Sequence, residues 1–325
     1  MGQVRASYPR FRREGESPGM ALTPDDIAIL RHVYRHRFVR ADDLYRLFPE
    51  RSESRISRRL TALYRNEYLD RPIAQVDRFR EGGSSSLVYG LDARGARYLK
   101  EHENVAIGVA DWKARNRSYT RQNLDHTLAV ASFLIDLELA CRARPDVDLI
   151  PFEEILIQAP EKTRRLAQPG GWPVPLSLGG PPVTVQVVPD AIFGLRVTGP
   201  DGRKARTFVF LEIDRGTMTI APAKHVRESD GFLHRSSVLR KFLAYTASHE
   251  LGLHREHFGI PAARVLTLTT GTRRAEAMRR SVSELVKSIR PLTGLFLFGV
   301  QNGESNPMEG TWIDAAGRAV TFRPR

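Results

Sequence analysis

Cysteine occurs once in 325 residues, at Cys141. A lone thiol excludes a disulfide within the chain and any multi-cysteine zinc site, and it suits a reducing cytoplasm. Long apolar runs are also missing. No stretch is long enough to span a bilayer, which argues against a membrane as the partner. Residues 1–20 are polar and arginine-rich and lack the apolar segment of a signal peptide. The expectation for residues 1–21 is a disordered basic arm. Acidic residues are in deficit, 37 Asp+Glu against 50 Lys+Arg, for a net charge of +13. The first hundred residues are the more cationic part, with 20 basic and 13 acidic side chains. Such an excess points to a polyanion, and double-stranded DNA is the expected partner. The length accommodates two domains with sizeable cores.

Residues 22–100 carry helical signals first. Thr23-Pro24 forms an N-cap and first turn, with Asp25 and Asp26 next and Ile27, Leu30, Val33 and Tyr34 as the apolar face. A second short helix runs from Ala41 to Phe48, where Pro49 ends it. A third, capped by Ser52 or Ser54, buries Ile56, Leu60, Leu63 and Tyr64 and presents Arg55, Arg58, Arg59 and Arg65 on its other side. The runs Leu69–Val76 and Leu87–Leu91 flank a Gly/Ser loop and read as a hairpin. Asp92 caps a last helix.

Three helices and a hairpin in this order resemble the winged-helix branch of the helix-turn-helix proteins. The resemblance implies that Arg55, Ser57, Arg58 and Arg59 meet the major groove and that Arg78 and Arg80 sit on the wing. Arginine suits the task because its planar fork grips phosphate or guanine with two bonds. A solvated arginine face or a protein-binding module is the alternative. Residues 101–122 have no clean period and read as a linker.

The second domain is expected over 123–325. Leu124, Leu128, Ala131, Ile135 and Leu139 keep helical spacing. Leu149–Ile157 reads as a strand, Thr163–Pro182 as an irregular Pro/Gly-rich insertion, and Arg215–Asp230 as a loop. Two apolar runs that carry acid, Val187–Phe193 and Phe208–Asp214, flank the turn cluster 198–203 and read as a hairpin. Folding it brings Asp190 towards Glu212 and Asp214. Carboxylates gathered at buried strand ends repel and lose water, and Mg²⁺ or Mn²⁺ relieves both costs. Register decides the matter. A two-residue turn sets Asp190 opposite Ile213 and turns the acids to opposite faces. A three- or five-residue loop, or a bulge, shifts the pairing by one. Three solvated strand ends are the bland alternative.

Helix, strand, hairpin pair, helix, strand, helix, strand resembles the PD-(D/E)xK nuclease superfamily over roughly 120–300. That gives the expected fold class: α+β, an N-terminal winged helix followed by a restriction-endonuclease-like α/β domain. The resemblance implies Mg²⁺ or Mn²⁺ on Asp190 and Glu212, with Asp214 assisting, and a lysine that steadies the attacking water. Asp214 stands where that lysine is expected, and Lys241 on the following helix is the relocated candidate, with Lys224 second. The whole arrangement also resembles the replication-relaxation family of plasmids and other mobile elements. This rests on Leu124-Asp125-His126, Val188-Pro189-Asp190, Leu211–Thr217, and Lys241 with Tyr245.

Other residues fit weaker patterns. His126 is either a general base or metal ligand or a bonded helix-end residue. Glu153 or Glu154 would lend at most one carboxylate. His249, His254 and His257 lack the i, i+4 spacing of a helical zinc motif. Cys141 has no base nearby and reads as core. Three functions stay open: a metal-dependent DNA endonuclease, a non-catalytic replication or transfer accessory factor on a decayed nuclease fold, and a transcriptional regulator whose second domain binds a ligand or forms a homodimer.

Overall fold

The computed structural model describes residues 10–13, 19–76, 86–103, 105, 112–177, 181–199, 201–222, 232–286, 294–301 and 306–322. Arg78, Arg80, Lys224 and most of the expected basic arm lie outside the described residues. The chain divides into two units, Met1–Ile135 and Asp136–Arg325.

The first unit opens with helix α1, Pro24–His36. Thr23 and Asp26 cap it reciprocally: the Thr23 hydroxyl accepts from the Asp26 N–H, and the Asp26 carboxylate accepts from the Thr23 N–H at 2.7 Å. Strand β1 (Phe38–Arg40), helix α2 (Ala41–Leu47) and helix α3 (Glu53–Arg65, capped by Ser52) follow. Strands β2 (Leu69–Asp70) and β3 (Val88–Leu91) precede helix α4 (Ala93–His102). The three strands form an antiparallel sheet in the order β1-β3-β2.

Two segments of this unit depart from expectation. The strand expected from Leu69 to Val76 stops at Asp70, because Pro72 has no N–H to offer and a 3₁₀ turn, Ile73–Gln75, begins. The buried Gln75 amide then takes over the ladder, accepting from the Val88 N–H at 2.8 Å and donating to its carbonyl at 2.9 Å. The expected linker is also partly integral to this unit. Helix α5 (Trp112–Arg117) buries Trp112, and Asn116 donates to the Leu91 carbonyl at 2.9 Å and to Asp70 at 3.0 Å. Arg37 lies over the rings of Phe38, Trp112 and Tyr119, 4.6–5.4 Å from their centroids. Helix α6, Arg121–Arg142, contains the division between the units, and its Leu124 and Leu128 pack with Phe38 and Val88. Within the expected arm, Arg13 is docked: it donates to the Tyr64 and Leu69 carbonyls and pairs with Asp92 at 2.6 Å.

Gly95 sets how closely α4 meets β2. A Cβ there would sit 2.2 Å from the Tyr68 carbonyl oxygen, a backbone atom that already accepts from the Asp92 N–H. Gly95→Ala is therefore expected to destabilise by about 1–3 kcal/mol, outweighing the helix propensity alanine brings. A thermal melt at or above the wild-type midpoint would refute this.

The second unit is built on a seven-stranded mixed sheet. After β4 (Val147–Ile150) come helices α7 (Phe152–Gln158) and α8 (Glu161–Arg164), then a separate two-stranded ribbon, β5 (Trp172–Leu176) and β6 (Val183–Val187). Strands β7 (Ala191–Thr198) and β8 (Lys204–Asp214) form the long hairpin. Helices α9 (Val238–Glu250) and α10 (Leu253–Phe258) lead to β9 (Arg264–Thr269). Helix α11 (Thr272–Val286), β10 (Phe296–Val300), β11 (Trp312–Asp314) and β12 (Ala319–Val320) complete it. The order is β12-β11-β10-β9-β8-β7-β4, with β8, β9 and β10 parallel and the other pairs antiparallel.

Three expectations differ. The strand expected through Leu149–Ile157 turns helical at Phe152, and Glu154 pairs with Arg196 at 2.6 Å. The Pro/Gly-rich insertion contains β5, which pairs with β6 just beyond it to form a ribbon. Its prolines, Pro173 and Pro175, occupy alternate exposed positions, and in a two-stranded ribbon alternate N–H groups have no partner to lose. The run Val187–Phe193 is two strands, with a break at residues 188–190.

Candidate acidic site and basic helix

Glu212 is the centre of the second unit's site because its strand leaves it nowhere else to point. Alternation along β8 sends Phe208, Phe210, Glu212 and Asp214 to one face. There Phe208 and Phe210 join a core with Phe242 and Tyr245 of α9. The hairpin closes through the five residues 199–203, with Thr198 paired to Lys204 and Ala191 to Leu211. Asp190 stands just before β7, and its N–H donates to the Leu211 carbonyl at 2.9 Å. The loop is thus the five-residue kind, and the paired register ends at Ala191, one residue short of Asp190. Gly202 supplies the left-handed turn residue, at φ 75°.

Asp190 takes the place of a ladder carbonyl, its carboxylate accepting from the Ile213 N–H at 2.7 Å. Glu212 is 6% exposed and has both oxygens engaged. Lys241 Nζ donates to Oε2 at 2.5 Å, and the Tyr245 hydroxyl donates to Oε1 at 2.6 Å. Lys241 and Tyr245 are four residues apart on α9 and share its inner face. Burial pushes the Glu212 carboxyl above its ordinary range, and Asp190 adds to that, while the Lys241 ammonium is the largest force holding it ionised.

Asp214 has a different fate. Arg274 grips it with Nε at 2.5 Å and a second nitrogen at 2.8 Å, and the Thr269 hydroxyl donates at 2.7 Å. The same guanidinium reaches the Met218 carbonyl. Among the described residues, no grouping brings one oxygen each of Asp190, Glu212 and Asp214 within 4.8 Å of one another. The three-carboxylate convergence expected from sequence is thus reduced to a pair, because the α11 arginine draws the third acid away.

The oxygen donors around that pair suit a hard divalent cation. Strand β9 adds the Thr267 hydroxyl, which pairs in register with Glu212 and is buried with no hydrogen-bond partner among the described residues. Asp190, Glu212 and Thr267 offer oxygens of the kind such an ion takes, whereas Asp214 is already held by Arg274 and Thr269.

Sequence reasoning missed Arg274 and Thr269 and did not give Tyr245 its role. One signal was present: Arg273 and Arg274 stand at the start of a helix, where cations oppose the macrodipole and need another reason to be there. Two of the other histidines meet backbone carbonyls. His254 binds the Ser248 carbonyl through Nδ1, and His257 Nε2 meets the Pro169 carbonyl at 2.9 Å. Cys141 is buried, and burial pushes its thiol up to about 11. His126 belongs to the first unit.

On α3 the arginines divide into two groups. Arg55, Ser57 and Arg58 are exposed. Arg59 turns inward, and its guanidinium clamps the fully buried Asp26 and reaches the Ala21 carbonyl. It is a strut of the fold, and the surface expected to meet DNA shrinks accordingly.

A mixed α+β chain with a basic helix in one unit and an acid–lysine cluster in the other is the class that these observations define. The replication-relaxation family model matches residues 30–237, and the chain belongs to that family. No curated protein and no solved structure matches it. Among the described residues, no helix is long and apolar enough to cross a membrane.

Proposed function

We propose that this protein acts on double-stranded DNA in the replication or transfer of a plasmid or other mobile element, holding DNA through a winged helix and cutting it in a PD-(D/E)xK nuclease-like unit. The observation that carries the nuclease reading is the Lys241 ammonium on the Glu212 carboxylate, with Asp190 close enough to raise that carboxyl and bonded to the next N–H of the same strand. The element order supports it: antiparallel β4, β7 and β8, then a helix, then β9 parallel to β8. For the first unit, the helix–strand–helix–helix–strand–strand order and the sheet order β1-β3-β2 support a winged helix. Family membership supports the setting.

In this reading Asp190 and Glu212 hold one Mg²⁺ or Mn²⁺, which when bound supplies a Lewis acid for a phosphoryl oxygen and a more acidic water. Tyr245 fixes the orientation of Glu212. Lys241 carries positive charge to the phosphate and steadies the charge that develops there. Asp214 and Arg274 fasten the ends of β8 and β9 to α11. Arg55 and Arg58 contact DNA, with Ser57 between them.

Plasmid and single-stranded DNA incubated with Mg²⁺, Mn²⁺ or EDTA test this directly. Metal-dependent cleavage that Asp190→Ala abolishes is the expected result. Binding that weakens steeply with salt, without cleavage under any metal, would leave the accessory-factor reading instead. Arg55→Ala with Arg58→Ala is expected to flatten the salt slope by about one for each phosphate no longer neutralised, without altering the fold.

A further inference from the structure

We propose that the Lys241 ammonium is the resident cation of the Asp190–Glu212 pair, and that a divalent ion enters the site by displacing it. The inference rests on the metal-binding reading above and adds a step to it.

Glu212 is almost entirely buried, so its charge must be matched from within the protein. Its two oxygens have different partners. The Tyr245 hydroxyl on Oε1 is neutral and fixed: the phenol is buried, stacked 5.9 Å from Phe210 and edge-on to Trp172 at 6.3 Å. The Lys241 ammonium on Oε2 is charged and sits at the end of a four-carbon stem, on a side chain that keeps 40% of its surface in solvent. One partner is built to stay and the other is able to leave.

Charge balance points the same way. Asp214 is neutralised by Arg274. Among the described residues, the cation that meets Glu212 is Lys241, and it carries one charge. A divalent ion would bring its own positive charge to Glu212 and take over that role. With Lys241 still on Oε2, two cations would share one carboxylate in a poorly solvated face, and their repulsion opposes that state. The displaced ammonium would lie towards solvent, where a DNA phosphate approaches. Lys241 would thus serve in sequence as counter-ion and then as phosphate contact.

Full-length protein with Mn²⁺ as the probe provides the test. Acetylation of Lys241 by a small amine reagent, read by mass spectrometry, is expected to speed up about tenfold between EDTA and saturating Mn²⁺, the size of an exchange worth one decade in population. Asp190→Ala is expected to remove the change. Independently, calorimetry of Lys241→Gln is expected to show Mn²⁺ binding about tenfold tighter than in the wild type. If Mn²⁺ binds the wild type but leaves Lys241 reactivity unchanged, and the variant binds no tighter, the exchange is refuted while the metal site stands. If neither protein binds Mn²⁺, both readings fail together. The acetylation arm uses the native chain, so it holds even if the variant does not fold.

Discussion

Arg59→Ala should loosen the first unit by about 3–5 kcal/mol, the usual result of stranding one member of a buried ion pair. Arg58→Ala, one residue away, should stay within about 0.5 kcal/mol of wild type, as surface substitutions do. The contrast follows from where each guanidinium ends. Arg58 is exposed and reaches the Ser54 carbonyl of its own helix, at 3.3 Å. Arg59 donates Nε to Asp26 at 2.8 Å, and Asp26 is fully buried while also closing the cap of α1. Without Arg59 that carboxylate keeps its N–H and hydroxyl donors from Thr23 but is deprived of the positive charge beside it. Amide hydrogen exchange resolved to peptides of α1 and α3 is the suitable measurement, since two units need not melt as one. Unchanged protection in Arg59→Ala would sink the assignment and return Arg59 to the DNA-facing set. DNA binding separates the residues in the opposite direction: Arg58→Ala should weaken it while the protein remains fully folded.

What could be read from the amino acids followed the range of the interactions involved. Caps and apolar faces are local, so Thr23-Pro24, Ser52 and Asp92 marked their helices correctly. Lys241 with Tyr245 was legible only as a short motif, although i, i+4 spacing on α9 puts both on one face. Register was left open for a definite reason. Turn residues fill 198–203, and their identities do not say whether two or five of them close the hairpin; the difference of one step decides whether Asp190 faces Glu212. Arg274 could not be found by proximity, since it lies sixty residues from Asp214 and meets it only when β9 carries α11 back over the sheet. The β5–β6 ribbon was hidden by its own prolines, which usually argue against a strand and here occupy positions that need no donor. The bond from Arg59 to Asp26 was hidden for a related reason. Helical spacing groups it with Arg55 and Arg58, whereas its long stem lets the charge travel inward to Asp26.

Arg274→Ala should cost the second unit about 3 kcal/mol near neutral pH, and the loss should shrink as the solution is acidified. Asp214 sets the sign. Burial pushes its carboxyl up, but bonds from Arg274, Thr269 and the Gly216 N–H more than reverse this, and the group ends below its ordinary value of 3.8. Between the folded and unfolded values the native state holds fewer protons than the unfolded chain. The stabilisation is therefore complete above about pH 4 and drains away as pH falls through the folded value. Removing Arg274 takes away the largest favourable contribution and leaves the burial, so the depression of the carboxyl weakens. A weaker depression leaves less stability to lose, so the variant gains on the wild type as protons return. The two stability curves should accordingly stand apart at pH 7 and converge towards pH 3. Thermal melts across that interval, followed by Trp172 and Trp312 emission with Trp112 replaced by phenylalanine, read the second unit alone. A gap that stays constant from pH 7 to pH 3 would mean that Arg274 acts through packing and its bond to the Met218 carbonyl, and not through the charge on Asp214.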